Sequence, residues 1–199
     1  MTVEGARSYP LTVKAGNHQV TLRYMTVDDK TGILAFARAL PEHDLLFLRR
    51  DITQEAALDD WLRELQAGEI VTVLAVTGEE VVGYATIHRS DLRWTSHVAE
   101  LRVMVAASMR GAGLGRILTQ EAFANALTSG IEKMVAQMTL DQKGAIATFE
   151  GLGFRPEALL RDQVKDRQGN KHDLLVLSHE VARFESQQAA YGINEAFGR

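Results

Sequence analysis

The run from Val98 to Phe123, V-A-E-L-R-V-M-V-A-A-S-M-R-G-A-G-L-G-R-I-L-T-Q-E-A-F, constrains this chain more than any other. An apolar strand pattern enters a basic, glycine-rich loop, and the loop opens directly into an amphipathic helix. A loop with so little side-chain bulk lets its backbone N–H groups approach a ligand closely. The helix start behind it adds unpaired N–H groups and the positive end of a dipole. Together these make an anion site suited to a pyrophosphate, with Arg110 and Arg116 as charge at its rim. Spacing excludes two familiar phosphate loops. A P-loop needs Lys and then Ser or Thr after its last glycine, and Gly115 is followed by Arg116. A dinucleotide fingerprint needs G-x-G-x-x-G, but its third glycine would fall on Arg116 or Leu118. What remains is Arg110-x-x-Gly113-x-Gly115.

Composition narrows the ligand further. A net charge of -4 leaves no basic face to displace counterions, so no nucleic-acid partner is expected. The chain has no cysteine, which excludes disulfides, thiolate metal sites and a Cys nucleophile. The six histidines show no H-x-x-x-H pairing, and no metal is expected. The N-terminus lacks a charged-then-apolar signal pattern, and no stretch approaches ~18 uninterrupted apolar residues. A cytoplasmic protein without membrane contact is therefore expected.

The rest of the chain reads as alternating short elements. Leu11 to Lys14 and His18 to Tyr24 form a hairpin around Ala15-Gly16-Asn17. Thr26 caps a helix with Asp29 three residues on, Ile33, Phe36, Ala37 and Leu40 supply its apolar stripe, and Pro41 ends it. A second helix runs from about Thr53 to Ala67 and stops at Gly68. Strands follow over Ile70–Val76 and Val81–His88, and a third near Val98–Val105 leads into the glycine loop. A helix from Leu114 to about Ser129, a strand over Ile131–Leu140, a short helix over Gly144–Leu152 and a hairpin of Leu159–Lys165 with Lys171–Leu177 complete the order. Residues 1–18 are read as an N-terminal extension carrying an extra strand, with residues 1–8 polar and loose, and residues 179–199 as a tail of weak helical periodicity. The order β-α-α-β-β-β-α-β-α-β-β, with no linker-like shift in composition, predicts one α+β domain over residues 1–199. Its central sheet is mixed but mostly antiparallel, with helices on both faces.

Arg110-x-x-Gly113-x-Gly115, set between a strand and a helix, resembles the acyl-CoA signature Q/R-x-x-G-x-G/A of the GNAT superfamily of N-acetyltransferases. A second stretch, A-I-A-T-F-E-G-L-G-F from Ala145 to Phe154, resembles that family's A-I-x-L-Y-E-K-L-G-F. The resemblance covers roughly Val20 to Leu177, and the opening stretch from Val13 to Asp29 also resembles bacterial members. It implies acetyl-CoA as co-substrate and an amine as acceptor, and it is compatible with a homodimer. It implies that Val103, Met104 and Val105 offer main-chain groups to the pantetheine arm. The N–H groups of Arg110, Gly111, Ala112, Gly113, Leu114, Gly115 and Arg116 would hold the pyrophosphate, and Phe149 would pack against the thioester end.

The implied chemistry is acyl transfer to an amine, which must be neutral to attack although alkylamines are protonated at pH 7. A base and an oxyanion donor are therefore required. With no cysteine, direct attack in a ternary complex is favoured over an acyl-enzyme. Glu100 is the candidate base. It lies one position from the register expected of a catalytic glutamate, a slip that a bulge would restore, and the alternative is a solvent-facing strand-end carboxylate. Asp141 and His88 are weaker candidates, the first as readily a helix cap and the second as readily a surface residue. Arg102 shares a face with Glu100 and would pair with it. Phe149 stands where many relatives carry a tyrosine that protonates the leaving thiolate. Tyr84, Thr148 or a water would have to substitute, the ammonium formed on attack could supply the proton, or the chain would be a catalytically weak acyl-CoA-binding sensor module. Glu42, His43 and Asp44 fall where the family builds its acceptor pocket, and Trp94 is either a wall of that pocket or ordinary packing.

Overall fold

The computed structural model describes residues 8–45, 48–90 and 92–181. The expected loose stretch before Ser8 and the tail from residue 182 lie outside them.

Among the described residues, eight strands form one sheet. They are β1 (Leu11–Ala15), β2 (His18–Tyr24), β3 (Ile70–Thr77), β4 (Glu80–Arg89), β5 (Val98–Val105), β6 (Lys133–Thr139), β7 (Arg155–Lys165) and β8 (Lys171–Glu180). Their order is β1-β2-β3-β4-β5-β6-β8-β7. Every neighbouring pair is antiparallel except β5 with β6. That one parallel pair follows from its connection: a helix must carry the chain back before β6 can start beside β5. This is the mixed, mostly antiparallel α+β sheet that the element order predicts.

Five α-helices among the described residues accompany it: α1 (Lys30–Ala39), α2 (Glu42–Leu45), α3 (Glu55–Ala67), α4 (Leu114–Leu127) and α5 (Lys143–Gly151). The expected stripe of α1 is buried, with Ile33, Phe36, Ala37 and Leu40 packed beside Leu58, Trp61 and Leu62 of α3. Its entry is the expected capping box, the Thr26 N–H donating to Asp29 Oδ2 at 2.8 Å. Arg23 grips the same carboxylate with two bonds of 2.8 and 2.6 Å. Burial opposes ionisation of Asp29, but the Arg23 pair and the Thr26 bonds outweigh it and hold its pKa below the ordinary carboxylate value. The other core forms between the opposite sheet face and α4 and α5, around Leu114, Leu118, Phe123, Phe149 and Phe154.

Three elements differ from expectation. Glu42–Leu45, read as a loop, is a helical turn. The last strand runs through His179 and Glu180, which pair with Met134 and Lys133, so the chain leaves the sheet later than the tail boundary at 179. β7 begins at Arg155 rather than Leu159; its largely exposed residues lack alternation, and it carries two irregularities and Asp162 at φ 51°.

Candidate active site

β5 and β6 pair only over Val98–Glu100 and Lys133–Val135. Beyond Glu100, β5 stays with β4, from Leu101↔Ile87 to Val105↔Gly83, while β6 stays with β8. The two strands therefore diverge, and one edge of β5 from Leu101 to Val105 has no neighbouring strand among the described residues. The gap is a cleft of about 810 Å³. Such an edge offers main-chain donors and acceptors to an amide-bearing ligand in the way it would to another strand.

The glycine loop closes the mouth of this cleft. Gly111 and Gly113 sit at φ 76° and 82°, where L-residues are strained, and Gly113 caps α4. A side chain at Gly113 would meet nothing within 4 Å, so the space in front of it is open. Ile117 is the first residue of α4 whose N–H bonds back, to the Gly113 carbonyl at 3.1 Å. The N–H groups of Leu114, Gly115 and Arg116 thus have no acceptor inside the helix. The start of α5 faces the same cleft, bringing Gln142, Lys143, Gly144 and Ala145.

Of the residues expected to hold the cofactor, Val103, Met104, Val105, Arg110, Gly111, Gly113, Leu114, Gly115, Arg116 and Phe149 all line the cleft. Ala112 does not. It faces the β1–β2 turn, where a Cβ on Gly16 would lie 3.3 Å from its own, so the N-terminal hairpin props the loop from behind. Arg110 is ion-paired with Asp44 of α2. His43 Nε2 lies 2.6 Å from Asp141 Oδ2, and Glu42 accepts from Arg167 at 3.1 Å. The acidic run thus forms a strap between the loop, the end of β6 and the β7–β8 hairpin. Asp141 does not cap α5, whose N-cap is Gln142. Burial works against its charge, but the neighbouring polar groups and the nearby imidazoles of His43 and His172 hold its pKa below the ordinary value.

Glu100 lies outside the cleft lining, on the face of β5 that it shares with Arg102 and Met104. No bulge interrupts β5, whose pairing with β4 is regular from Ala99 to Val105. Glu100 Oε1 is 2.5 Å from Arg102 Nη2, and Oε2 is 3.6 Å from Arg49 Nη1. It is neither cleft-facing nor a free strand-end carboxylate. Next to it is a niche of about 20 Å³ bounded by Arg49, Arg50, Arg102, His88, Tyr84 and Trp61. His88, expected at the surface, is mostly buried. Desolvation first, then the charges of Arg49, Arg102 and Arg50, push its pKa down to about 3. Tyr84 is fully enclosed, and burial raises its pKa. Its ring meets Trp61 at 5.0 Å and Phe36 at 6.0 Å, edge to face. Trp94 is 78% exposed and lines neither the cleft nor the niche.

Phe149 is buried against Phe154, ring centroids 4.8 Å apart. Thr148 beside it spends its hydroxyl hydrogen on the Gly144 carbonyl at 2.9 Å. Arg49 and Arg50 drew no attention in the sequence, because an Arg-Arg pair in a polar stretch has no periodicity or spacing to mark it. Among the described residues no group of three His, Asp or Glu side chains could hold a metal, and no helix is long and apolar enough to cross a membrane.

A diverging strand pair with a glycine loop and two helix starts beside it presents main-chain groups and helix N-termini of the kind that bind a long, phosphate-headed ligand. The family model of the acetyltransferase (GNAT) family matches residues 28–154. The chain belongs to that family. Among solved structures, a GNAT-family acetyltransferase from Streptococcus pneumoniae superposes with a TM-score of 0.71 at 18% identity, over 81% of this chain and 99% of the other. The ribosomal-protein-alanine N-acetyltransferase of Brucella melitensis gives 0.71 at 24% identity, over 80% and 98%. A Salmonella typhimurium protein solved with its cofactor acetyl-CoA gives 0.71 at 21%, over 81% and 94%. At these identities the likeness is one of fold. A comparison with curated protein sequences gave no match.

Proposed function

We propose that this protein is an N-acetyltransferase that moves an acetyl group from acetyl-CoA to a primary amine by direct attack in a ternary complex. The observation that carries this reading is the cleft itself. An unpaired strand edge ends at a loop whose glycines leave open space and whose helix start leaves N–H groups without acceptors. These features fit acetyl-CoA: the edge from Val105 to Leu101 is about 13 Å long at ~3.3 Å per residue, enough to hold an extended arm. Arg116 and Lys143 add positive charge to the backbone cradle.

Acetyl-CoA supplies a thioester carbonyl open to attack by nitrogen and a thiolate that can leave. With the phosphates at the loop, its reactive end lies near Leu101–Val103. Glu100, Arg102 and the niche then stand on the acceptor's side of β5. The new C–N bond forms as the C–S bond breaks. The acceptor loses two protons in all: Glu100 takes the first from the incoming alkylammonium, which leaves the amine neutral for attack, and the sulfur takes up the second. Phe149 cannot donate that proton, and Thr148 already directs its hydrogen at Gly144. We assign it to the ammonium formed on attack, relayed by solvent. No cysteine is present to form an acyl-enzyme.

The test is thiol release from acetyl-CoA across panels of small amines and peptides, with Gly113→Glu as the control. Turnover that is lost in Gly113→Glu, along with the thermal shift by CoA, supports the reading. A second reading is kept in view by Phe149, namely an acyl-CoA-binding sensor with little turnover. It requires CoA binding without turnover, both in the natural chain and in Phe149→Tyr.

A further inference from the structure

Resting on the acetyltransferase reading, we infer that the acceptor is a monoamine with an apolar alkyl or aryl body. That body lies on a sheet face beside Glu100, made by Val135, Val176, Ala158 and Leu160.

The face follows from strand register. Glu100 of β5 pairs with Val135 of β6, and Val135 pairs with Ser178 of β8. Further along, Gln137 pairs with Val176, and Val176 with Ala158 of β7. Leu174 of β8 then joins Thr139 to Leu160. Paired residues point the same way and alternate residues share a face, so these side chains stand on the side of the sheet that carries Glu100. On the opposite side Met134, Ala136, Met138 and Leu177 are buried in the core with Leu114, Leu118 and Phe149.

Helices cover the Glu100 side over only part of its width. The core beneath α1 and α3 takes in Leu74 of β3 and Val81 and Tyr84 of β4, and reaches Met104 of β5 at its margin. Among the described residues it includes nothing from β6, β7 or β8. Val135, Val176, Ala158 and Leu160 belong to neither core. The first three are partly exposed, and Leu160 is 38% exposed. Strand positions that face water are ordinarily polar. An apolar patch with a carboxylate at its border is instead suited to a ligand with an apolar body and a charged head.

The distances suit a small molecule. Glu100 is one strand spacing, about 5 Å, from β6, and the face runs about 10 Å further across β8 to β7. An amine whose nitrogen meets Glu100 therefore extends its body over Val135 and Val176. A single charge is expected because Glu157, on the same stretch of β7, is already paired with Lys133 at 2.7 Å. A second ammonium above Val176 and Leu160 would exchange its hydration for apolar neighbours.

The experiment measures kcat/KM, at saturating acetyl-CoA, for n-alkylamines from ethyl to octyl and for the α,ω-diamine of each length. Each methylene laid on the face should raise kcat/KM by about two- to fourfold, the upper figure being full burial. The rise should stop once the chain outruns the face. Each long diamine should be poorer than its monoamine by about tenfold or more. Val176→Thr keeps the side-chain shape but adds a hydroxyl. It should flatten the dependence on chain length while leaving ethylamine and the KM for acetyl-CoA unchanged, whereas a loss of fold would lower all amines alike. Leu160→Ser, at the exposed edge strand, should affect the longest chains alone. No dependence on chain length, diamines used as well as monoamines, or turnover confined to peptides would overturn the inference and leave the acetyltransferase reading intact. If no amine is acetylated, that reading fails, and calorimetry of octylamine on CoA-loaded protein decides the face. Heat that weakens in Val176→Thr upholds it; no heat, or heat unchanged in that variant, overturns it.

Discussion

Arg102 and Glu100, two residues apart on one face of β5, close on each other at 2.5 Å, and Arg49 reaches the second carboxylate oxygen at 3.6 Å. The pairing gives Glu100 a fixed direction on the face of the strand it shares with Arg102, at the level where the parallel pairing with β6 ends. A general base contributes about 10²–10⁴ in rate. Glu100→Gln keeps the shape and one acceptor oxygen but cannot take a proton. Its kcat should fall at least about a hundredfold with the KM for acetyl-CoA unchanged. Removing the one carboxylate that two arginines share should also lower stability by roughly 1–3 kcal/mol. Steady-state kinetics and a thermal melt read both effects, and a loss below tenfold in kcat would reduce Glu100 to a structural anchor.

His88 makes stability depend on pH in a definite direction. In the unfolded chain its imidazole binds a proton below about 6.5; in the folded chain it does so only near 3. Between these values the unfolded state holds more protons, so acid draws the equilibrium towards it and stability falls as pH drops. The slope from this one group is about 1.4 kcal/mol per pH unit. Carboxylates titrate in the same range, so the informative quantity is a difference. His88→Gln should melt with a flatter pH dependence than the natural chain between pH 6 and 4. Parallel curves would mean that His88 is protonated in the fold.

Asp44 and Arg110 form an ion pair across the mouth of the cleft. A pyrophosphate held by the loop must share Arg110 with that carboxylate. Asp44→Asn releases the guanidinium and should tighten CoA binding by about two- to fivefold, in keeping with the ~0–1 kcal/mol of an exposed pair. The gain should shrink as salt is raised, because the competing charges are screened. Calorimetric titration at two ionic strengths checks this. Weaker binding in Asp44→Asn would show that the strap helps to form the cradle rather than competing with it.

Much of this arrangement is written locally. The helix stripe of Ile33, Phe36, Ala37 and Leu40, the stop at Gly68 and the strand that feeds Gly111 to Gly115 are all readable, because each depends on neighbours a few residues away. The face of Glu100 was not readable from spacing alone: it depends on whether β5 is bulged, which its pairing with β4 decides. His88 looked like a strand-end residue until β5 and the Leu48–Arg50 segment enclosed it. Arg49 and Arg50 acquire meaning only when Arg102, fifty residues on, is brought opposite them by the sheet. Where a side chain's role is set by long-range pairing, the local pattern is silent.

Gly83 links the sheet core to the cleft. A Cβ there would lie 2.8 Å from the Met104 carbonyl oxygen, 3.1 Å from Leu118 Cδ1 and 3.4 Å from Leu114 Cδ2. The first is backbone and cannot rotate away, so Gly83→Ala must push β5 at its cleft-lining end and press on the first turns of α4. Overpacking of this kind costs about 1–3 kcal/mol, or several degrees in Tm at about 2–4 °C per kcal/mol for a chain of this size. Because Met104 and Leu114 both line the cleft, the KM for acetyl-CoA should rise alongside, whereas that for the acceptor should change less. Gly32→Ala is the matched control. Its Cβ would approach only the Val81 Cγ2 methyl, at 3.3 Å, on the opposite face of the sheet. It should leave the KM for acetyl-CoA where it was. If Gly83→Ala lost stability while binding acetyl-CoA as well as Gly32→Ala does, the edge of β5 would not be the surface on which the cofactor lies.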